Sequence, residues 1–307
     1  MLSCCSCSML WIVIAIMTGL SMLLMPSFYK NIYRALIANF GPRSLMKRKR
    51  VAGKVILVTG AGNGIGRLIA LKFASLNAKL VLWDVDEKGL AATAKECENA
   101  GGDQVLVQKV DLSDREAIYA AAETLKAKMG DVEILVNNAG IGRGGPFLEK
   151  SDDYIEACMR VNSMAHMWLA KAFLPAMMEK DNGHIVCIAS AAALVGARTL
   201  VEYSASKFAA FGFQEALENE VYGLGKRRIQ FTTVCPIFVQ TRMLDDIPVS
   251  SRMKGDILTP EYVAERAVDG VLTDERLVVL PPRIRCLLAA KNLIPRRSFQ
   301  QLLLRAS

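Results

Sequence analysis

Short apolar runs alternate with longer stretches of mixed apolar and polar residues from residue 54 to residue 280. Most of the runs are rich in Val, Ile and Leu and contain few polar residues, which is typical of strands buried in a parallel sheet. The pattern predicts a doubly wound α/β fold, a seven-stranded parallel sheet with helices on both faces. The predicted strands are Val55–Thr59, Lys79–Trp83, Val105–Val110, Ile134–Val136, His184–Ala189, Ile229–Val234 and Leu277–Leu280. The predicted helices are Arg67–Leu76, Lys88–Asn99, Asp114–Met129, Asp152–Met178, Tyr203–Tyr222 and Pro260–Thr273.

The first strand runs into a glycine-rich turn, Thr59-Gly60-Ala61-Gly62-Asn63-Gly64-Ile65-Gly66, before the first helix. Glycine permits a sharp turn and a close approach of the backbone to a pyrophosphate, and the free N–H groups of a helix start attract phosphates. The strand, turn and helix together predict a dinucleotide site, although the spacing of the glycines differs from G-x-G-x-x-G. The residues expected to hold the dinucleotide here are Gly60, Asn63, Gly64, Ile65 and Gly66.

Polar residues follow the other predicted strands at the edge where ligands of such sheets bind. Asp84 ends the second strand about twenty residues after the turn, where an acid is expected to accept from the adenosine ribose hydroxyls. An acid in that position is often only a turn former. The remaining strand ends carry Asp111-Leu112, Asn137-Asn138-Ala139-Gly140, Ser190 and Cys235-Pro236. We therefore expect one ligand-binding edge, assembled from segments far apart in the chain.

The segment Tyr203-Ser204-Ala205-Ser206-Lys207 supplies candidate chemistry. On a helix, Tyr203 and Lys207 share a face because they stand at positions i and i+4. A neighbouring ammonium favours the ionised phenolate, which makes a tyrosine usable as an acid/base group near neutral pH. Ser190, at the end of the preceding strand, is expected to hydrogen-bond the same substrate oxygen. Such a tyrosine–lysine pair also occurs on many solvated helices that have no catalytic role. Here it follows Ser190 and the dinucleotide turn in the sequence, and in that context it predicts catalysis.

Taken in order, these motifs resemble the short-chain dehydrogenase/reductase family from residue 54 to residue 280. The matching residues are Thr59–Gly66, Asp111-Leu112, Asn137–Gly140, Asn162, Ser190, Tyr203 and Lys207. The resemblance implies a Rossmann-type fold and an NAD(P)-dependent oxidoreductase that acts on CH–OH groups. It implies Tyr203 as general acid/base, Ser190 as the residue that binds and orients the substrate oxygen, and Lys207 as the group that holds the nicotinamide ribose and favours the phenolate. Asn162 would hold a water of the proton relay.

Four segments are similar to the membrane-bound 16C-type members of that family, which include retinol dehydrogenases and lipid-droplet 17β-hydroxysteroid dehydrogenases. They are Val81–Asp84, Gly183–Val186, Ser206–Ala210 and Cys235–Val239. This resemblance implies a lipophilic substrate, with retinol/retinal favoured and a 17β-hydroxysteroid or another lipid alcohol as the alternative. A function of another class also stays open, namely a non-catalytic protein of lipid surfaces that keeps its cofactor site for stability.

The cofactor expected at the glycine turn is NAD rather than NADP. The Asp84 carboxylate would repel a 2′-phosphate, and the positions where NADP-preferring relatives carry a basic residue hold Asn63 and Val85. Arg67 and Lys88 lie nearby in the sequence and are expected to be solvated. The resemblance adds further cofactor-binding residues, which are Asp111, Leu112, Asn138, Tyr203, Lys207, Ile237 and Thr241.

Residues 9–25 form an uncharged apolar run, MLWIVIAIMTGLSMLLM. As a helix it would cover roughly 26 Å, close to the lower limit for a membrane span. A signal peptide is the competing interpretation, but residues 1–8 carry no charge and no clear cleavage motif follows the run. We therefore expect an uncleaved anchor, which either spans the membrane or enters it as a hairpin. Basic residues lie on its C-terminal side, so the positive-inside rule predicts a catalytic domain facing the cytosol. The resemblance to the 16C-type members implies that the membrane is that of the endoplasmic reticulum or of a lipid droplet. The hydrophobic content of 52% and the mean hydropathy of +0.26 also favour membrane contact.

Four regions are therefore predicted along the 307 residues. They are an N-terminal membrane anchor at 1–30, a basic connector at 31–53, the NAD(P)-binding domain at 54–280, and a basic amphipathic segment at 281–307. The last segment could lie in a lipid interface, pack on the domain or mediate dimerisation. Family members are often homodimers through two long helices, which the sequence alone does not decide for this chain.

The net charge of +8 is concentrated in basic clusters at 43–50 and 283–305. Beside an apolar run, such clusters favour contact with lipid over contact with nucleic acid, for which no recognition motif is present. The eight cysteines and two histidines lack metal-ligand spacing, so no metal is expected. Cys4, Cys5 and Cys7 flank the apolar run and are either palmitoylated or free thiols.

The two histidines and the substrate side carry the remaining expectations. His184 precedes an apolar strand and is expected to be structural, and His166 is expected to be packed or solvated. Residues 191–196 and 237–253 are expected to line the mouth of the substrate pocket. The first of these segments is strongly apolar, which suits a lipophilic substrate, but packing beneath a loop would explain the same composition.

Overall fold

One parallel sheet organises the described part of the chain, with strand order β3-β2-β1-β4-β5-β6-β7. The strands are β1 Val55–Thr59, β2 Lys79–Asp84, β3 Gln104–Lys109, β4 Ile134–Asn137, β5 Gly183–Ile188, β6 Ile229–Pro236 and β7 Leu277–Leu280. This computed structural model describes residues 47–102, 104–247, 254–285, 291 and 294–306. The predicted Rossmann-type, doubly wound sheet of seven strands is confirmed.

Helices connect the strands and cover both faces of the sheet. They are α1 Gly64–Ala74, α2 Glu87–Asn99, α3 Arg115–Met129, α4 Asp152–Met159, α5 Ala165–Lys180, α6 Val201–Gly223, α7 Arg242–Asp245, α8 Pro260–Leu272 and α9 Arg296–Ala306. The predicted membrane anchor at 1–30 lies outside the described residues, and so does most of the predicted connector at 31–53. Among those that are described, no helix is both long enough and apolar enough to cross a bilayer.

Several element boundaries differ from those expected from the sequence. Helix α1 begins at Gly64 rather than Arg67 because the last glycines of the turn already form its first turn. The predicted helix over Asp152–Met178 is interrupted by a π-helical turn, Arg160–Met164. Such a turn is a short feature inside an otherwise helical segment, and the sequence pattern did not predict it. Strands β2 and β6 run further than predicted because Asp84 and Pro236 still pair with neighbouring strands.

Except for the edge strand β3, the strands are buried on both faces. Ile56 and Val58 point into a core under α1 and α8, and Leu57 points into the core on the opposite face, which α3 and α5 cover. Successive side chains of a strand face opposite ways, so burial of both faces requires an almost unbroken apolar run. The Val55–Thr59 strand is buried at every position, in agreement with its sequence.

The packed chain begins before Lys54 at the edge of the sheet where strands start. Val51 is buried in the core, and the Lys49 N–H donates to Leu272 O at 2.8 Å. His184 is buried at this edge, with Nε2 2.9 Å from Thr232 Oγ1 and the Lys49 ammonium in contact with its other ring nitrogen. Burial, and then the Lys49 charge, lower the pKa of His184 well below its ordinary value. His184 is therefore a neutral, structural histidine.

The opposite edge, where the strands end, contains the crossover point of the fold. Strand β1 pairs with β2 on one side and with β4 on the other, so the chain leaves this point in both directions. Ligands of doubly wound sheets bind outside the strand ends at this point. The segments that follow β1, β2, β4, β5 and β6 all converge there.

Candidate active site

A cleft of about 1360 Å³ lies over the carboxyl ends of the strands. Most of the residues predicted for the site line it, and two of them, Gly66 and Asn162, are buried behind its wall. The predicted residues that line the cleft are Gly60, Asn63, Gly64, Ile65, Asp84, Asp111, Leu112, Asn138, Ser190, Tyr203, Lys207, Ile237 and Thr241. Segments that are distant in sequence therefore form one site.

The glycine turn has no room for side chains at two of its positions. A Cβ on Gly66 would lie 2.1 Å from Gly60 O, and a Cβ on Gly60 would lie 2.8 Å from Ala139 Cα. Gly60 and Gly64 also have positive φ values of 66° and 54°, which other residues adopt only with strain. The turn is consequently compact, and its backbone is exposed toward the cleft at the start of α1.

Thr59 and Asn138 fix this turn to β4. The Thr59 hydroxyl donates to Val136 O at 3.1 Å and accepts from the N–H groups of Asn138 and Ala139. The Asn138 side-chain amide donates to Thr59 O at 2.9 Å and to Gly60 O at 3.2 Å. Asn138, expected to bind the cofactor, thus also braces the turn that would hold it.

Asp84 closes the other side of the turn. One of its oxygens accepts from Gly62 N at 2.8 Å and the other from Asp86 N at 3.0 Å. A Cβ on Gly62 would come within 3.0 Å of this carboxyl group, so the glycine permits the close approach. The carboxylate is therefore held in place at the end of β2 and faces the cleft. Asp111 is more exposed and accepts from the Ser113 N–H and hydroxyl.

Tyr203 and Lys207 lie on one face of α6, as their spacing predicts. Lys207 Nζ is 5.7 Å from the centre of the Tyr203 ring and donates to Ile188 O at 3.0 Å. Its side chain is 3% exposed, so its positive charge acts over a short distance in a poorly solvated place. Both side chains line the cleft, and the pair can therefore stabilise and transfer a proton there.

Ser190 and Asn162 occupy neighbouring positions around this pair. The Ser190 hydroxyl accepts from Ala192 N at 3.1 Å and faces Pro236 O at 3.4 Å. Asn162 stands in the π-helical turn, where it accepts from Ile141 N and donates to Ile141 O, both at 2.8 Å. A Cβ on Gly140 would lie 3.2 Å from Asn162 Oδ1 and 3.3 Å from Lys207 Nζ. Glycine at that position thus allows the amide and the ammonium to approach each other.

The other half of the cleft is mainly apolar. The predicted segments contribute Ala191, Ala192, Val195 and Gly196 from the first, and residues between Ile237 and Ile247 from the second; residues 248–253 lie outside the described part. Sequence reasoning missed other lining residues, which include Ile141, Val161, Ala197, Arg198, Thr199, Leu200, Asp256, Ile284 and Gln300. No motif spacing marks them, because they reach the cleft only through tertiary packing.

The C-terminal segment takes part in this packing. Phe299 of α9 is 6% exposed, and the neighbouring Gln300 lines the cleft. Lys291 Nζ donates to Leu194 O at 2.8 Å, and Arg285 donates to Leu277 O at 2.6 Å. Of the three alternatives open for residues 281–307, packing on the domain therefore holds for these described residues.

Other titratable groups beneath the cleft are neutral. Burial, and then the charge of Lys207, lower the pKa of His166 to about 3. Burial raises the pKa of Cys187, whose sulfur lies 3.7 Å from His166 Nδ1, to about 11. Neither group changes charge near neutral pH, so neither is suited to proton transfer at the cleft. Among the described residues, no cluster of His, Cys, Asp or Glu could hold a metal ion.

The cofactor half fits a dinucleotide. Its tight glycine turn offers backbone N–H groups at a helix start, which suits a pyrophosphate, and the Asp84 carboxylate at the next strand end suits ribose hydroxyls. The short chain dehydrogenase family matches residues 54–250 of this sequence, which is more than half of the chain. The chain belongs to the short-chain dehydrogenase/reductase family.

Relatives of this short-chain dehydrogenase have names that describe two lipid chemistries. Epidermal retinol dehydrogenase 2 of Homo sapiens is 42% identical over 248 residues, 81% of this chain and 80% of that protein. Estradiol 17-beta-dehydrogenase 11 of Mus musculus is 41% identical over 280 residues, 91% of this chain and 92% of that protein.

Solved structures of the family hold either nicotinamide dinucleotide. A short chain dehydrogenase/reductase from Burkholderia phymatum in complex with NAD matches with a TM-score of 0.72 and 30% identity, over 80% of this chain and 94% of that one. An alcohol dehydrogenase from Thermococcus sibiricus complexed with 5-hydroxy-NADP matches with a TM-score of 0.65 and 26% identity, over 74% and 94% of the two chains. The short-chain dehydrogenase described here is an NAD(P)-dependent oxidoreductase.

Proposed function

We propose that this protein is a membrane-attached, NAD-dependent dehydrogenase of lipophilic alcohols, with retinol/retinal as its most favoured substrate pair. The observation that carries the proposal is the Tyr203–Lys207 pair, which shares one cleft with the braced glycine turn and with an apolar substrate side. A 17β-hydroxysteroid is the second candidate, because a relative named for estradiol 17-beta-dehydrogenation covers more of the chain at similar identity.

The proposed mechanism assigns proton transfer to Tyr203. In oxidation, its phenolate accepts the proton of the substrate hydroxyl, and in reduction its hydroxyl returns a proton to the carbonyl oxygen. Lys207, buried beside the ring, stabilises the negative charge of the phenolate. The Ser190 hydroxyl hydrogen-bonds the same substrate oxygen and orients it. When bound, the nicotinamide supplies or accepts the hydride.

Asn162 has an indirect role in this proposal. Its amide joins the loop at Ile141 to α6 by donating to Ser206 Oγ at 2.9 Å. It also lies close to the Lys207 ammonium across Gly140. These contacts support a role in holding Lys207 in place and in supporting a water of the proton relay, which the family resemblance implies.

The preference for NAD over NADP is proposed from the charges around the ribose site. The Asp84 carboxylate is fixed by two N–H groups and would repel a 2′-phosphate. Val85, the next residue, is exposed and apolar. Arg67 is engaged by an ion pair with Glu96 and so is not a free partner for a phosphate. The residues proposed to hold the cofactor are those predicted from the sequence, with Gly66 acting through the shape of the turn.

The first experiment measures NADH formation from all-trans-retinol and NAD in membranes that contain the full-length protein. We expect turnover that falls by roughly 100- to 10,000-fold in Tyr203→Phe, because the ring is kept and only the transferable proton is lost. The same assay with NADP should give a higher KM than with NAD. Full activity of Tyr203→Phe would refute the assigned role of the tyrosine.

The same assay with estradiol in place of retinol tests whether the substrate is a retinoid or a steroid. Tyr203-dependent turnover of estradiol alone would replace the retinoid assignment with the steroid one. A Tyr203→Phe protein that turns over neither substrate yet keeps full cellular function would favour the non-catalytic alternative.

Membrane attachment is proposed from residues 9–25, whose uncharged length is near that of a bilayer span. The basic residues that follow support a catalytic domain in the cytosol, on the endoplasmic reticulum membrane or a lipid droplet. The full-length protein should resist extraction by alkaline carbonate. Release into the soluble fraction would exclude an integral anchor.

A homodimer is proposed through α5 and α6. Three large apolar side chains on or just before these helices, Met164, Met167 and Phe208, are 38%, 37% and 41% exposed. Light scattering on the detergent-purified protein should give twice the chain mass after subtraction of detergent. A monomer mass would reject the dimer and leave the catalytic assignment unaffected.

A further inference from the structure

A buried ion pair stands behind the catalytic helix, and the proposed mechanism does not use it. Lys150 lies at the end of the loop between β4 and α4, and Glu202 immediately precedes Tyr203 on α6. Their side chains are 3% and 1% exposed, and Lys150 Nζ lies 3.5 Å from Glu202 Oε1. Buried charges in proteins are costly unless they are paired and hydrogen-bonded. This pair therefore requires an explanation beyond that of a surface salt bridge.

Lys150 uses its hydrogen bonds on the loop rather than on Glu202. Its ammonium donates to Arg143 O at 2.6 Å and to Gly144 O at 2.8 Å. The two Glu202 oxygens make no hydrogen bond with any residue that the structure describes. Glu202 thus supplies a compensating charge, and Lys150 donates the hydrogen bonds that hold the carbonyl groups of residues 143 and 144 together.

The loop that Lys150 holds touches both walls of the substrate side. Gly144 N donates to Asp246 O at 2.9 Å in the segment after β6, and Gly145 N donates to Thr199 O at 3.0 Å in the segment before α6. Thr199 has a φ of 65°, which is strained for a β-branched residue and so requires support from its surroundings. The loop therefore ties together two segments that line the cleft.

The same loop rests on the proposed catalytic tyrosine. A Cβ on Gly142 would lie 2.8 Å from Tyr203 Cδ2 and 3.3 Å from Met243 Sδ. The backbone at Gly142 is therefore in contact with the Tyr203 ring and with a lining residue of the substrate side. A shift of the loop would move this surface against the ring.

We propose that Lys150 is a positioning residue for the reaction, which holds residues 141–146 against Tyr203 and fixes the substrate side of the cleft, while Glu202 supplies the opposite charge that keeps the lysine in place. The kinetic part of this proposal rests on the proposed role of Tyr203. The structural part does not, because the position of the loop is measurable without turnover.

Lys150 both compensates the charge of Glu202 and donates hydrogen bonds to the loop, and a pair of variants separates these two roles. Lys150→Met alone leaves a buried unpaired carboxylate and is expected to lower thermal stability as well as to loosen the loop. Lys150→Met combined with Glu202→Gln removes the unpaired charge and should recover much of that stability. It does not return the donors to Arg143 O and Gly144 O, so the loop stays loose. Arg266→Met is the matched control, since it breaks a buried pair with Glu275 beside the start of β7, away from the cleft.

The first measurement is amide hydrogen exchange, followed by mass spectrometry, on the full-length protein in detergent. Peptides covering 141–150 should exchange at least about tenfold faster in the double variant than in the wild type, since Gly144 and Gly145 lose protection. Peptides covering β1 should be unchanged. Arg266→Met should leave the 141–150 peptides at the wild-type rate. Wild-type exchange of this loop in the double variant would overturn the proposal.

The second measurement compares the effect of the double variant on substrate turnover with its effect on cofactor binding. In the double variant, kcat/KM for all-trans-retinol should fall between about tenfold and a hundredfold, with the Kd for NADH unchanged. Recovery of wild-type kcat/KM in the double variant, with Tyr203→Phe inactive, would limit the pair to a role in stability. Full activity of Tyr203→Phe would instead refute the proposed function, and the exchange result would still decide whether Lys150 holds the loop.

Discussion

The two halves of the cleft are built in different ways. The cofactor half is backbone at strand ends, with the turn after β1 held by Thr59, Asn138 and Asp84 through short hydrogen bonds. The substrate half is made of loops and of the C-terminal helix, joined by a few backbone bonds such as Gly144 N to Asp246 O. The comparison indicates that the cofactor half is fixed by hydrogen bonds and close backbone contacts at the strand ends, whereas the substrate half is fixed mainly by packing between loops. The same small substitution should therefore have different effects in the two halves.

The largest effect is expected from Gly66→Ala in the cofactor half. Its new methyl group would lie 2.1 Å from Gly60 O and 2.4 Å from Asn138 Nδ2, so backbone has to move and the turn has to open. NADH binding, measured by fluorescence titration, should fall at least about a hundredfold. The control is Gly212→Ala on α6, where no atom lies within 4 Å of the added methyl group. Equal NADH affinity in both variants would contradict the rigid turn.

A smaller effect is expected from Gly142→Ala in the substrate half. The methyl group would press on the Tyr203 ring at 2.8 Å, and a loop can yield to it more easily than the turn can. We expect kcat/KM for the lipophilic substrate to fall between about tenfold and a hundredfold, with NADH affinity unchanged. Gly196→Ala, at a cleft residue with open space around it, should remain close to wild type. A loss of NADH affinity in Gly142→Ala would remove the distinction between the halves.

The smallest effect is expected beneath both halves, at His166. The unfolded histidine has a pKa near 6.5, and burial, and then the Lys207 charge, lower the folded pKa to about 3. The unfolded state binds the proton first as the pH falls, so stability is complete above about 6.5 and is lost progressively toward 3. At pH 5.5 the loss from this residue should be about 1.4 kcal/mol.

Urea unfolding at pH 7.5 and pH 5.5 measures this loss. His166→Gln should show a smaller decrease in the free energy of unfolding between the two pH values, and should retain the part contributed by His184. An unchanged decrease would show that His166 takes up its proton in the folded state.

The difference between the halves also explains what the sequence could predict. The turn after β1 requires glycine at positions where a Cβ would meet backbone. Glycines at fixed spacing therefore predict its geometry. Tyr203 and Lys207 are predictable for the same reason, since one helical turn separates them. The pairing of Lys150 with Glu202 could not be predicted, because no motif spacing links two residues so far apart in the sequence. The one sequence feature that pointed to Glu202 was its position next to Tyr203. Gln300 reaches the cleft because α9 packs back on the domain, which local pattern does not encode.

Element boundaries show the same limit on a smaller scale. The apolar pattern of residues 152–178 predicts one helix, whereas the π-helical turn divides it and places Asn162 beside Ile141. The inserted residue is stabilised by the bonds of the Asn162 amide to another segment. Contacts of this kind, between residues far apart in sequence, decide the parts of the site that periodicity leaves open.

The central place of β1 has a consequence for synthesis of the chain. Strand β2 follows β1 directly and can pair with one of its edges early, and β3 then pairs with β2, but the other edge of β1 waits for β4. The bond from Asn138 N to Thr59 Oγ1 joins residues 79 positions apart. Until those residues leave the ribosome, the apolar strand Val55–Thr59 keeps one row of backbone groups unpaired, which is a template for aggregation. The nascent chain thus needs protection, by a chaperone or by fast translation, at the strand that later holds the dinucleotide.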